Sequence, residues 1–187
     1  MSERGPAPGG ARRAAGVVVA GLIALAAVVT LVAFLVARDD PDLVPTGQAG
    51  PGQLLPDRGA RHLGAGERAP ASAGANPPTS GPHAPVAISR TGASLSDDQL
   101  LHAIELGNVV ILHAPGQDQS ALLALAAQVA GPFDPALAAS GQAVVVAPRP
   151  GVSGLVAVGW RHRQIAASAA DPALRRFVEF HLGRGRR

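Results

Sequence analysis

A small α/β sandwich carried behind an apolar N-terminal helix is the fold class this chain predicts, and three observations predict it. An unbroken apolar run extends from Ala14 to Ala37, between Arg13 and Arg38. A stretch rich in Pro, Gly and Ala follows, residues 38–74, with neither helical nor strand periodicity. Beyond residue 75, capped helical segments alternate with short β-branched apolar runs in the order α-β-α-β-β-α. That order predicts a mixed sheet of three to four strands with helices packed on it.

The apolar run sets the first boundary. Its 24 residues would rise about 36 Å as a helix, enough to cross a hydrocarbon core of about 30 Å. A cleaved signal peptide has an apolar core of only about 7–15 residues, and Leu35-Val36-Ala37 lacks the small-x-small cleavage pattern. An uncleaved signal anchor over 14–37 is therefore expected. Arg4, Arg12 and Arg13 precede the span with only Glu3 against them, whereas Arg38 is followed by Asp39, Asp40 and Asp42. The positive-inside bias keeps residues 1–13 in the cytoplasm and sends the rest across the plasma membrane. Residues 38–74 then read as a flexible linker, with Gly59 to Ala75 beginning to pack on the domain, and residues 75–187 as an extracytoplasmic α/β domain.

Composition narrows the chemistry. All 16 basic residues are arginine, and residues 38–187 carry 13 of them against 12 acids. A pI near 11.2 thus reflects missing Lys, Tyr and Cys rather than a basic surface, and no nucleic-acid partner is expected. The absence of cysteine excludes disulfides, thiolate metal sites and thiol nucleophiles.

The elements follow in order. Ser96-Asp97-Asp98-Gln99 is a capping-box start for a helix over about 97–106, with Leu100, Leu101 and Ile104 inward and Gly107 ending it. Asn108 to His113 is a β-branched buried strand, broken by Pro115-Gly116. Asp118 caps a second helix to about Ala130, which Gly131-Pro132 stops. Phe133 to Gly141 is a connection with one helical turn. Ala143 to Ala147 is a second strand, and Leu155 to Trp160 a third that continues to Ile165. Asp171-Pro172 opens a last helix whose inner face is Leu174, Phe177, Val178, His181 and Leu182.

Two segments stand outside what composition demands. One is the stiff loop Asn76-Pro77-Pro78-Thr79-Ser80-Gly81-Pro82-His83. The other is His102-Ala103-Ile104-Glu105-Leu106-Gly107, where a helix brings His102 and Glu105 onto one face. Together with Gly59-Ala60-Arg61-His62, Val144 to Pro150, Trp160 and Phe177 to His181, they resemble domain of unknown function family 3105, found in membrane-anchored bacterial proteins. The βα-then-ββα run also resembles the thioredoxin arrangement, in topology alone. The resemblance implies a helical motif of the form His-x-x-Glu-His-Gly. Here His102 and Glu105 match it, while Leu106 stands where the second histidine is expected and Ala84 where a tyrosine is.

Imidazole and carboxylate in that spacing suit zinc or copper. The candidate ligands are His62, His83, His102 and Glu105, with His113 as a further one. The competing expectation is structural: His83 bonded to its own loop, Glu105 capping or paired with Arg90, and His102 a packing residue. His162 and His181 read as surface or core-edge residues. A zinc-peptidase reading of the helical motif lacks a ligand at Leu106. Ser80 is no nucleophile, because Pro82 blocks the helix an elbow requires. Gly47 to Gly52 precedes no lysine and forms no phosphate loop, and Arg184 to Arg187 reads as a solvated end. The function expected from sequence is binding or scaffolding at the cell envelope, with metal binding as the alternative.

Overall fold

The interior strand β2, Val109–His113, has every residue buried, which explains its near-continuous run of Val, Ile and Leu. A computed structural model describes residues 50–69 and 76–186. The expected cytoplasmic stub over 1–13, the anchor over 14–37 and the linker as far as residue 49 lie outside the described residues. Among the described residues, no helix is long and apolar enough to cross a membrane.

The sheet has five strands rather than three to four. In chain order they are β1 (Gln53–Leu54), β2, β3 (Val144–Pro148), β4 (Leu155–Gly159) and β5 (His162–Ala166), arranged β1-β5-β4-β2-β3. β2 and β3 pair in parallel, with Ile111 opposite Val146, and the other pairings are antiparallel. Four helices accompany them among the described residues: α1 (Asp97–Leu106), α2 (Ser120–Ala130), α3 (Pro135–Ala139) and α4 (Pro172–His181).

Alternation along the strands divides the core in two. Val110, Leu112, Val145, Val156 and Val158 face one layer with Leu100 and Ile104 of α1 and Ala138 of α3. Val109, Ile111, Val144, Val146 and Ala157 face the other with Leu122 and Leu125 of α2 and Leu174, Phe177 and Val178 of α4. Fully burying a side chain such as Phe177 contributes about 1.5–3 kcal/mol, so these two clusters are the main source of stability.

The expected caps are in place, with one shift. Ser96 and Gln99 form the reciprocal capping box of α1, and Asp171 accepts from the Ala173 amide at α4. Asp118 accepts from the Ser120 amide, 2.9 Å, from a position one residue farther out than a cap. Gly107 closes α1 at φ 115°, and a Cβ there would meet the backbone of Gly183 and Gly185 at 3.0 Å. The C-terminal segment lies in that space, with the Gly183 amide bonded to the Gly107 carbonyl and the Arg186 amide to the Glu105 carbonyl.

Two sequence expectations fail for identifiable reasons. The third strand does not continue to Ile165; it turns at Trp160-Arg161 and returns as β5, with Gly159 opposite His162. Neither central residue of this turn is glycine or asparagine; Arg161 itself takes the left-handed conformation at φ 60°. Arg161 is held there by its amide on Thr79 O, 2.8 Å, and its carbonyl receiving the Leu55 amide, 2.7 Å. The other difference is β1, which forms inside the stretch read as linker and pairs with β5. A two-residue strand is too short to show a period. The opposite edge, β3, is closed by Thr91, whose hydroxyl receives the Val146 amide, 3.0 Å, and by the Gly92 amide on Val146 O, 2.7 Å.

His181, expected at the core edge, is buried and donates from Nε2 to Pro51 O, 3.0 Å, holding the start of β1. Its ring also meets Phe177, Phe180 and His162. Burial pushes its pKa down to about 4, with His162 and Arg184 adding to the effect. A depressed histidine stabilises the fold fully above the ordinary value and loses that contribution as pH falls through about 6.5 to about 4. The domain should therefore be about 2 kcal/mol less stable at pH 5 than at pH 7.5 from this group alone. Denaturant unfolding at both pH values checks it: His181→Gln should shrink the difference, and an unchanged difference would refute the assignment.

Candidate metal centre

The loop that begins at Asn76 is pinned at both ends before it delivers His83. Asn76 accepts from Arg149 Nε, 2.6 Å, and donates to Pro150 O, 3.2 Å, while the same arginine pairs with Asp97 at the start of α1, 2.6 Å. The Asn76-Pro77 peptide is cis. Thr79, Ser80 and His83 are all buried. The Ser80 hydroxyl receives the Arg58 amide, 3.0 Å, and donates to Pro56 O, 3.2 Å. The upstream segment is thereby tied to the loop, and a parallel bridge aligns His62 with His83. Around it, the Leu63 amide donates to His83 O, 2.9 Å, and the His83 amide to Arg61 O, 3.1 Å. Farther along the same segment, the Glu67 carboxyl is held down to about 2 by its hydrogen bond from Arg61 and by the Gly64 amide.

Helix α1 supplies the other two groups. His102 and Glu105, one helical turn apart, present their side chains to the His62–His83 pair. Glu105 Oε2 stands 2.8 Å from His62 Nε2, 3.1 Å from His83 Nε2 and 3.9 Å from His102 Nδ1. One ligand atom from each of the four residues lies within 4.8 Å of every other. Glu105 does not pair with Arg90; it joins the loop, the upstream segment and the helix at one oxygen.

The hydrogen count at this point is unusual. His83 Nδ1 lies 2.9 Å from Gly81 O, and a carbonyl only accepts, so Nδ1 carries the hydrogen. A neutral His83 ring then turns a lone pair from Nε2 toward Glu105 Oε2, itself an acceptor. Two acceptors at 3.1 Å repel unless a second proton or a cation lies between them. A backbone carbonyl that fixes the far ring nitrogen is the usual support behind a metal-ligating histidine.

His102 supplies the second sign. Its Nδ1 is buried and has no hydrogen-bond partner, a condition that costs about 1–3 kcal/mol where it is left uncompensated. Burial and the neighbouring His83 ring push its pKa below the ordinary value. That favours the neutral imidazole, the form that donates a lone pair to a metal. A tetrahedral zinc ion needs its ligand atoms about 3.4 Å apart, given Zn–N near 2.0–2.1 Å. The present spacing, no more than 4.8 Å between any two of the four atoms, is within about 1.5 Å of that.

Of the sequence-expected residues, His62, His83, His102 and Glu105 meet, and His113 does not. His113 lies at the end of β2, its Nδ1 on Ala114 O at 2.9 Å and its Nε2 facing Gln119 Oε1 at 3.3 Å. Gly81 and Pro56, whose carbonyls orient the loop, went unrecognised, since backbone acceptors leave no mark in side-chain identity.

Fold and cluster together define a small α/β domain with a three-histidine, one-carboxylate centre. A family model described as Protein of unknown function (DUF3105) matches residues 68–186, and the chain belongs to that family. His83, His102 and Glu105 fall inside the matched residues and His62 upstream of them. No curated protein and no solved structure matches the chain.

In metal-free protein, Glu105→Gln would turn an amide N–H toward the His83 lone pair. Its thermal stability at pH 8 should not fall below that of the unaltered chain. A loss greater than about 1 kcal/mol would mean that the carboxylate already has the protons it needs.

Proposed function

We propose that this chain is a metal-binding domain whose His62, His83, His102 and Glu105 hold one divalent cation, zinc or copper. One observation carries the reading: three ring nitrogens and a carboxylate oxygen converge within 4.8 Å, one of those nitrogens buried without a partner. The donor set is imidazole-rich without thiolate, which suits zinc and copper and is a poor match to magnesium or calcium. Ligands drawn from three chain segments also let the cation cross-link the segment around His62, the loop around His83 and α1. Leu106 does not empty the site, because His62 supplies the third imidazole.

Anchoring belongs to the same proposal. The apolar run over 14–37, with arginines before it and aspartates after it, supports an integral plasma-membrane protein with this domain on the outer face. A binding or scaffolding role at the envelope is compatible with a metal that acts as a structural staple, and no reaction is assigned.

Metal content and calorimetric titration of the full chain test the proposal. About one zinc or copper per chain is expected, bound more weakly as pH falls because protons compete for the imidazoles. His83→Ala and Glu105→Ala should each lower affinity by more than about 100-fold, beyond the range seen for outer partners of a metal. His113→Ala should leave affinity unchanged. Metal at 100 times its Kd should raise stability by about 2.7 kcal/mol. Failure to bind either ion, or equal loss in His113→Ala, would overturn the proposal.

A further inference from the structure

Beside the metal centre is a cavity of about 150 Å³ with His102 in its wall. The rest of the lining is contributed by Val86, Ile88, Ala103, Leu106, Asn108 and Ala138 with their neighbours. This volume is that of a pocket known to admit a molecule as large as benzene. The wall is mostly hydrocarbon, and its two polar side chains differ in what they have left to offer. Asn108 is fully engaged: its amide nitrogen donates to Ala103 O, 3.0 Å, and Ala138 O, 2.7 Å, and its oxygen receives the Ala143 amide, 2.9 Å. His102 is the opposite case. Its Nδ1 is buried and unpartnered on the Glu105 side. Its side chain keeps 17% exposure, so the accessible part of the ring is elsewhere than Nδ1, and the residue is part of the cavity wall.

We propose that this cavity binds a small carboxylic acid, its hydrocarbon part against Val86, Ile88 and Leu106 and its oxygen accepting from His102 Nε2. The inference rests on the metal reading above, since it takes Nδ1 as the metal's ligand. An imidazole that gives its Nδ1 lone pair to a cation carries its hydrogen on Nε2, and the cation makes that N–H a stronger donor. A ligand seated in the cavity therefore senses whether the metal is present, through one ring. No bond is made or broken; the ring transmits polarisation alone. By linkage, the ligand tightens the metal by the same factor as the metal tightens the ligand.

Isovalerate, whose size suits the cavity, is the probe. The full chain, isotopically labelled, is first titrated with zinc and then with isovalerate, followed by the amide signals of Ala87, Ala103 and Ala139. Binding about tenfold tighter in zinc-loaded than in metal-free protein is expected, the scale on which an outer partner couples to a metal. Saturating isovalerate should raise zinc affinity by the same factor. Leu106 is exposed at the cavity wall, so Leu106→Trp should narrow the space without entering the core, leaving zinc affinity intact and abolishing the isovalerate response. Zinc binding with no isovalerate response, or with equal response in metal-free protein, overturns this inference and leaves the metal reading standing. A response that persists in Leu106→Trp means the carboxylate sits on zinc directly and also overturns it. Absence of zinc binding overturns both.

Discussion

Two hydrogen-bond acceptors face each other at the junction of the fold, and positive charge is what allows them to stay there. Glu105 Oε2 and His83 Nε2 are 3.1 Å apart, with the only proton of a neutral His83 committed to the Gly81 carbonyl. Three segments meet at this contact: the residues around His62, the proline-rich loop and α1 itself. A second proton on the ring can supply the charge, and so can a divalent cation that the imidazoles coordinate. The three histidines and one carboxylate surrounding the contact suit the cation.

What positions the junction is the sheet. β2 is buried on both faces and hydrogen-bonded on both sides, so α1, which leads directly into it through Gly107, has little freedom. The loop is fixed from the other end, where Arg149 after β3 reaches both Asn76 and Asp97. Its far end is fixed by Arg161, whose backbone links Thr79 to Leu55 across the β4–β5 turn. Two members of the cluster, His62 and His83, thus come from flexible-looking sequence held by backbone pairing, and His102 and Glu105 come from the capped helix α1. Such rigid support is what metal and ligand sites need from their surroundings.

Much of the core was legible beforehand because its signals are local. Ser96 and Gln99 cap α1, Asp171-Pro172 starts α4, and the β-branched runs of β2, β3 and β4 need two buried faces. The proline loop and the His102–Glu105 spacing also stood out, and four of the five expected ligands converge. Non-local geometry was hidden. Arg161 adopts a turn conformation that arginine seldom signals, so two strands read as one. β1 is two residues long and exists through pairing with β5. His113 and His83 look alike in sequence, each following an apolar or stiff segment, yet one ends against Ala114 and Gln119 and the other faces Glu105. Which histidine joins the cluster depends on the His62–His83 bridge, a contact between segments separated by the residues 70–75.

The pairing of β1 with β5 also decides how the domain meets tension. A pull on the chain from residues before Gln53 reaches the Pro51–His181 hydrogen bond and the Gln53–Arg163 and Leu54–His162 pairs first. These are few bonds at a sheet edge, and they would yield before the load arrived at Arg58, His62 and the loop. Behind them stand the Leu55–Arg161 and Ser80–Pro56 bonds, a second line before the cluster. Stretching from that side would peel the edge strand away while leaving the four-residue cluster closed.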